Sequence, residues 1–137
     1  MIYEQLYSDF KKLFPENITL LDKFANDANA DENDGMHIMF SFVVVPFVLN
    51  LLNNGNSDKL KVAFDFFEKM AVSDSRDITE VLEFTVIENL MSNGKKLYEN
   101  AKKYMGTETI ICGSVTKDLN VKKGYGIIGK KTERRRK

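Results

Sequence analysis

The chain has one cysteine, one histidine, two prolines and no tryptophan in 137 residues. The single cysteine, Cys112, excludes an internal disulfide framework and fits a reducing compartment. One histidine and one cysteine, far apart in sequence, exclude the usual structural zinc site, which wants four such ligands. His37 stands between Met36 and Ile38 and reads as a packed or partly exposed histidine rather than a ligand or base. Cys112 lies between Ile111 and Gly113 with no second histidine to activate it, so it reads as an inert buried thiol. No Gly-x-Ser-x-Gly, P-loop or Gly-x-Gly-x-x-Gly pattern occurs, and Gly124, Gly126 and Gly129 lack the strand and helix that a phosphate loop needs. No cofactor is expected. The first residues have neither a basic start nor an apolar block, so no secretory leader is expected. The longest apolar run, 38–52, holds Ser41, Pro46 and Asn50 and falls short of the roughly 20 residues of a membrane helix. It reads as a strand-like lead-in and a core helix, with no membrane partner.

What is present is a large apolar payload, including ten phenylalanines and five tyrosines, and a divided charge. Residues 1–120 hold 19 acidic side chains against 12 basic ones, whereas residues 121–137 hold 8 basic against one acidic. The net charge of zero therefore hides an acidic body and a basic tail, each with its own class of partner.

The body reads as helices. Tyr3, Leu6, Tyr7, Phe10, Leu13 and Phe14 fall on one helical face, which Pro15 ends. Ile18, Leu20, Leu21 and Phe24 suggest a second helix capped by Asn17. Residues 26–35 hold nothing apolar larger than alanine and read as a solvated loop. Pro46 fits the first turn of a third helix, with Ser41 as a nearby cap. Ser57 can cap a fourth helix carrying Leu60, Ala63, Phe64, Phe67 and Met70. Asp77 and Glu80 resemble a capping box that opens a fifth helix over 78–91, apolar on almost every side and so expected at the centre of the core. A sixth helix carries Leu97, Ala101, Tyr104 and Met105 and stops at Gly106, and Ile110, Ile111, Val115 and Leu119 suggest a weak last helix in spite of Gly113. The expected fold is all-α: a compact bundle of about six antiparallel helices, whose pairs could stack as in an α-solenoid. The domain is read as 1–120, and 121–137 as a basic disordered tail.

Two carboxylate groups are the candidate functional residues. Asp27, Asn29 and Asp31 match the first, third and fifth positions of a calcium loop, but Glu32 stands where glycine should and Ile38 where the closing glutamate should. Starting at Asn29 puts Asp34 and Phe40 at those two positions and fails equally. The loop therefore reads as a solvated turn offering Asp27, Asp31, Glu32 and Asp34, with no metal. Glu80 and Glu83 share a face of the fifth helix, with Glu88 further round, and read as a solvated edge or a binding edge for a basic partner. The tail, with Tyr125 as its only aromatic, reads as a solubilising segment whose alternative is contact with nucleic acid or an anionic surface.

One resemblance adds to this. Residues 80–90, Glu-Val-Leu-Glu-Phe-Thr-Val-Ile-Glu-Asn-Leu, are followed at 101–109 by Ala-Lys-Lys-Tyr-Met-Gly-Thr-Glu-Thr. Together they resemble a family of small helical bacterial domains of uncharacterised activity, in which a Val-Leu-Glu helix precedes a Lys-Tyr-Met-Gly-Pro-x-Thr turn. Residues 42–52, with Pro46, are similar to that family's third helix. The likeness spans 1–120, and Thr107 stands where the family has proline. In size and style the family is similar to immunity proteins of bacterial toxin systems. That implies a cytoplasmic, non-enzymatic module that neutralises a basic toxin domain by direct binding. The candidate partner-binding residues are then Asp27, Asp31, Glu32 and Asp34, followed by Glu80 and Glu83. The alternatives are a small helical scaffold with an apolar binding face, and an enzyme with an unrecognised carboxylate site.

Overall fold

A computed structural model describes residues 1–122, with side-chain surroundings through Thr116, and among these residues all regular structure is helical. The seven helices are α1 (Leu6–Lys12), α2 (Ile18–Ala28), α3 (Met36–Asn53), α4 (Ser57–Ala71), α5 (76–92), α6 (Lys95–Lys102) and α7 (Thr107–Lys122). Short 3-10 turns at Tyr3–Gln5 and Pro15–Asn17 lead into α1 and α2. The all-α expectation holds. Val121 and Lys122 complete α7, and the rest of the expected disordered tail lies outside the described residues.

α3 departs most from its expected course. It has no strand-like lead-in: it is helical from Met36, ten residues ahead of Pro46, and Ser41 lies inside it. A proline inside a regular helix removes one hydrogen bond and collides with the carbonyl four residues back. Here the residues ahead of it, Phe40–Val44, wind as a π-helix, and the Val45 N–H donates to the Phe40 carbonyl five residues earlier. The widened turn loosens the ladder just where proline would break it. α3 is the one helix among the described residues long and apolar enough to cross a membrane, yet 56% of it is buried inside the protein. Phe40, Val43, Val44, Phe47 and Val48 are fully enclosed, as expected of a central core helix.

α5 is π-helical over Val81–Ile87. Val81, Leu82, Val86, Ile87 and Leu90 are all buried, as its expected central place requires. The π segments of α3 and α5 lie against each other. His37 Nδ1 is 2.6 Å from Thr85 Oγ1, and the Asn89 amide donates to Ser41 Oγ at 3.5 Å. The equal offset of these pairs makes α3 and α5 parallel, with α7 on the other side of α5, where the Thr116 hydroxyl donates to the Glu83 carbonyl.

Three caps differ from those expected. Asn56, not Ser57, caps α4 by accepting from the Lys59 N–H. Ser75, not the Asp77–Glu80 pair, caps α5 by accepting from the Ile78 N–H. Asn17 precedes α2 without capping it, because its side-chain oxygen receives the Lys59 ammonium from α4.

Phe10 of α1 is the hub of the core. Its ring lies 5.1 Å from Phe14, 6.2 Å from Phe40 and Phe47, 5.5 Å from Phe66 and 6.0 Å from Phe67. One side chain thus ties α1 to both α3 and α4.

Candidate functional site

Between α1 and α2 runs an open groove of about 400 Å³. Tyr7, Ile18, Ala25, Ala30 and Met39 give it an apolar lining, and Lys11, Lys12, Asp22, Asp31 and Glu32 give it charge. The Lys11 ammonium spans α1 and α2 by pairing with Asp22 at 2.7 Å, and lies 6.0 Å from the centre of the Tyr7 ring.

Tyr7 is the anomaly in this groove. It is only 4% exposed, and its hydroxyl has no hydrogen-bond partner among the described residues. Burial above all, then the charges of Asp22 and Glu32, push the phenol up to about 12, so it is neutral at any ordinary pH. Both carboxylates line the groove, which places the hydroxyl in a negative field on that side. A buried polar group with no partner costs about 1–3 kcal/mol. Tyr7→Phe should therefore raise the stability of the free protein by about 1 kcal/mol, read from the urea midpoint at unchanged slope. A loss of stability would mean that the hydroxyl is in fact satisfied.

The expected acidic loop is more ordered than a solvated turn. Asp27 belongs to the last turn of α2 and pairs with Lys23 at 2.7 Å. Asn29 then takes the left-handed conformation, φ 53°, that ends a helix. Asp31 and Asp34 form a reciprocal capping box: Asp31 accepts from the Asn33 N–H at 2.8 Å, and the Asp31 N–H donates to Asp34 at 2.8 Å. The Glu32 side chain, on the short 3-10 turn between them, makes no hydrogen bond or ion pair among the described residues and is exposed. Asp31 and Glu32 border the groove, while Asp27 and Asp34 lie outside its lining.

Glu80 and Glu83 form a separate set. Both face Arg76, at 3.6 and 3.8 Å, and Glu83 is 8% exposed. Glu83 is thus a buried, paired carboxylate rather than part of a solvated edge. His37 is exposed and bonds Thr85. Cys112 is half-buried, and burial first, then Glu83, Glu108 and Glu68, push its thiol up, which disfavours the reactive thiolate.

One well-bonded carboxylate is a residue that the sequence did not single out. Glu68 of α4 accepts from the Glu108 N–H at 3.0 Å, the Thr109 N–H at 2.9 Å and the Thr109 hydroxyl at 2.8 Å. Burial pushes its pKa up, but these three bonds outweigh it and hold the carboxyl below its usual range. A Cβ on Gly106 would fall 2.5 Å from the Glu68 carboxyl carbon. The Tyr-Met-Gly-Thr-Glu-Thr stretch is therefore a device for docking the α4 carboxylate onto the N-terminus of α7.

Fold and groove together define a small all-α domain built around an α3–α5 core, with a charged cleft between its first two helices. Residues 7–112 match a family described as a domain of unknown function, DUF7674, and the chain belongs to that family. No curated protein and no solved structure matches the chain.

Proposed function

We propose that this chain is a non-enzymatic protein-binding domain, and more specifically a cytoplasmic bacterial immunity protein that neutralises a basic toxin domain by covering it. The observation that carries this reading is the turn after α2, where Asp27, Asp31, Glu32 and Asp34 are all exposed within eight residues and, among the described residues, only Asp27 has an ion-pair partner. Exposed charges of one sign steer an oppositely charged partner and act mainly on the rate of encounter.

The test is association with the C-terminal domain of a toxin encoded beside this protein. Asp27→Asn, Asp31→Asn, Glu32→Gln and Asp34→Asn together should slow association at low salt by about tenfold or more and flatten its salt dependence. The fold should survive, because asparagine caps a helix about as well as aspartate. If no neighbouring toxin domain binds the intact protein, the immunity reading is lost. If one binds and the quadruple variant associates as fast as wild type, the steering surface lies elsewhere.

A second reading, a helical adaptor, is favoured by Ile110, Ile111 and Val115, which stand 41–50% exposed on α7. It requires Ile111→Ser with Val115→Ser to abolish binding or self-association that the loop variant leaves intact.

A further inference from the structure

We infer that the groove between α1 and α2 is the seat of an arginine side chain from the protein partner, held by Glu32 and Asp22 with the Tyr7 hydroxyl as the third contact. This rests on the reading of the chain as a binder of basic proteins, and supplies the anchor that the exposed turn lacks.

The argument starts from Tyr7. Its hydroxyl is buried, has no partner among the described residues and lies in the field of two carboxylates that line the groove. A group that donates N–H bonds and carries positive charge meets both conditions at once. It gives the phenol oxygen a donor and is drawn by the negative field. An anion would meet three carboxylates, Asp22, Asp31 and Glu32, against the two ammonium groups of Lys11 and Lys12, the first of them already paired with Asp22.

The structure already holds a cation there. The Lys11 ammonium sits between Asp22 and the face of Tyr7. Its side chain is 30% exposed and that of Asp22 is 52% exposed. Exposed pairs of this kind are weak and open readily. An incoming guanidinium can take the Lys11 place, and its five donors let it reach a carboxylate and the phenol oxygen together, which a compact ammonium does less well. Glu32 is the carboxylate left to accept the second edge of the fork. The apolar surface of Met39, Ala25 and Ala30 is suited to the arginine stem, since such stems lie along apolar walls while the charged head finds its partners.

The full-length protein can be titrated with a blocked arginine, N-acetyl-arginine N-methylamide, and binding followed by backbone amide shifts. The matched control is blocked citrulline, which has the same shape without the charge. The arginine probe should move the amides of Tyr7, Lys11, Asp22 and Glu32 and saturate in the millimolar range, while citrulline should move none of them. Tyr7→Phe and Glu32→Gln should each weaken the arginine probe by roughly tenfold. Lys11→Met removes the resident cation and should tighten it.

Shifts scattered over every acidic surface, or equal effects of arginine and citrulline, would overturn the assignment. So would a Lys11→Met variant that binds more weakly. Free L-arginine binding about tenfold tighter than the blocked form would make this a small-molecule site instead of a partner anchor. The two proposals fail separately. Arginine binding without toxin binding keeps the groove and loses the immunity reading, whereas toxin binding that ignores Tyr7 and Lys11 does the reverse.

Discussion

Truncating Phe10 to alanine should lower folding stability by about 3–5 kcal/mol, near the upper end for a single core change. The ring is fully buried and meets five other aromatic rings, that of Phe14 just after α1 and four from α3 and α4. Collapse cannot fill the space, because Phe40, Phe47 and Phe67 are themselves held on long helices at full burial. A domain of this size has about 5–15 kcal/mol in hand, so the variant should be partly unfolded at 37 °C or close to it. Urea unfolding by circular dichroism measures this directly. A cost under about 1 kcal/mol would mean that α1 does not plug the core in solution.

The second large effect belongs to Glu68. Replacing it by alanine strips three hydrogen bonds from the start of α7 and should cost about 1.5–3 kcal/mol at neutral pH, since bonds to a charged group lie in that range. Gly106→Ala should reproduce much of that loss by pushing the carboxylate off the helix end. The two changes together should cost little more than either alone, because they remove the same interaction. The pH dependence has a definite sign. The folded-state pKa of Glu68 is depressed below its ordinary 4.5, so the native state holds the ionised form more strongly than the unfolded chain does. The contribution is complete above pH 4.5 and is lost as the pH falls through the depressed folded value. The gap between wild type and Glu68→Ala should therefore narrow in acid. A gap independent of pH from 7 to 2 would show that the carboxylate charge plays no part.

Much of the helical layout was legible because the apolar spacing is strong. Leu6, Tyr7, Phe10 and Phe14, and Leu60 through Met70, mark faces that the structure buries, although Leu13 of the first face is exposed. Two features escaped for a physical reason: helical periodicity assumes one pitch. In α5 the π segment buries positions 81, 82, 83, 85, 86 and 87, nearly its whole circumference, so a wheel drawn at the α pitch shows apolar residues on more than one face and gives no sign of the wider turn. In α3 the same widening lets a helix run through Pro46, where a reading from standard helix rules must start one. Sites were less legible. The exposed acids at 31–34 could be found by composition, but Glu68 gave no sign of its long-range bonds to Glu108 and Thr109. Tyr7 looked like any other core aromatic, since whether a buried hydroxyl finds a partner is decided by α2 and the turn after it.

The placement of Phe10 also sets a timetable for synthesis. Its ring partners span Phe14 to Phe67, so α1 leaves the ribosome well before α4 exists to receive it. At about 5–20 residues per second, the roughly 60 residues from Phe10 to the end of α4 take on the order of 3–12 s to be made. During that interval Leu6, Tyr7, Phe10 and Phe14, all enclosed in the finished domain, have only the early helices to cover them. A nascent chain arrested between α3 and α4 should thus be a better client for a hydrophobic-segment chaperone than one arrested after Met70.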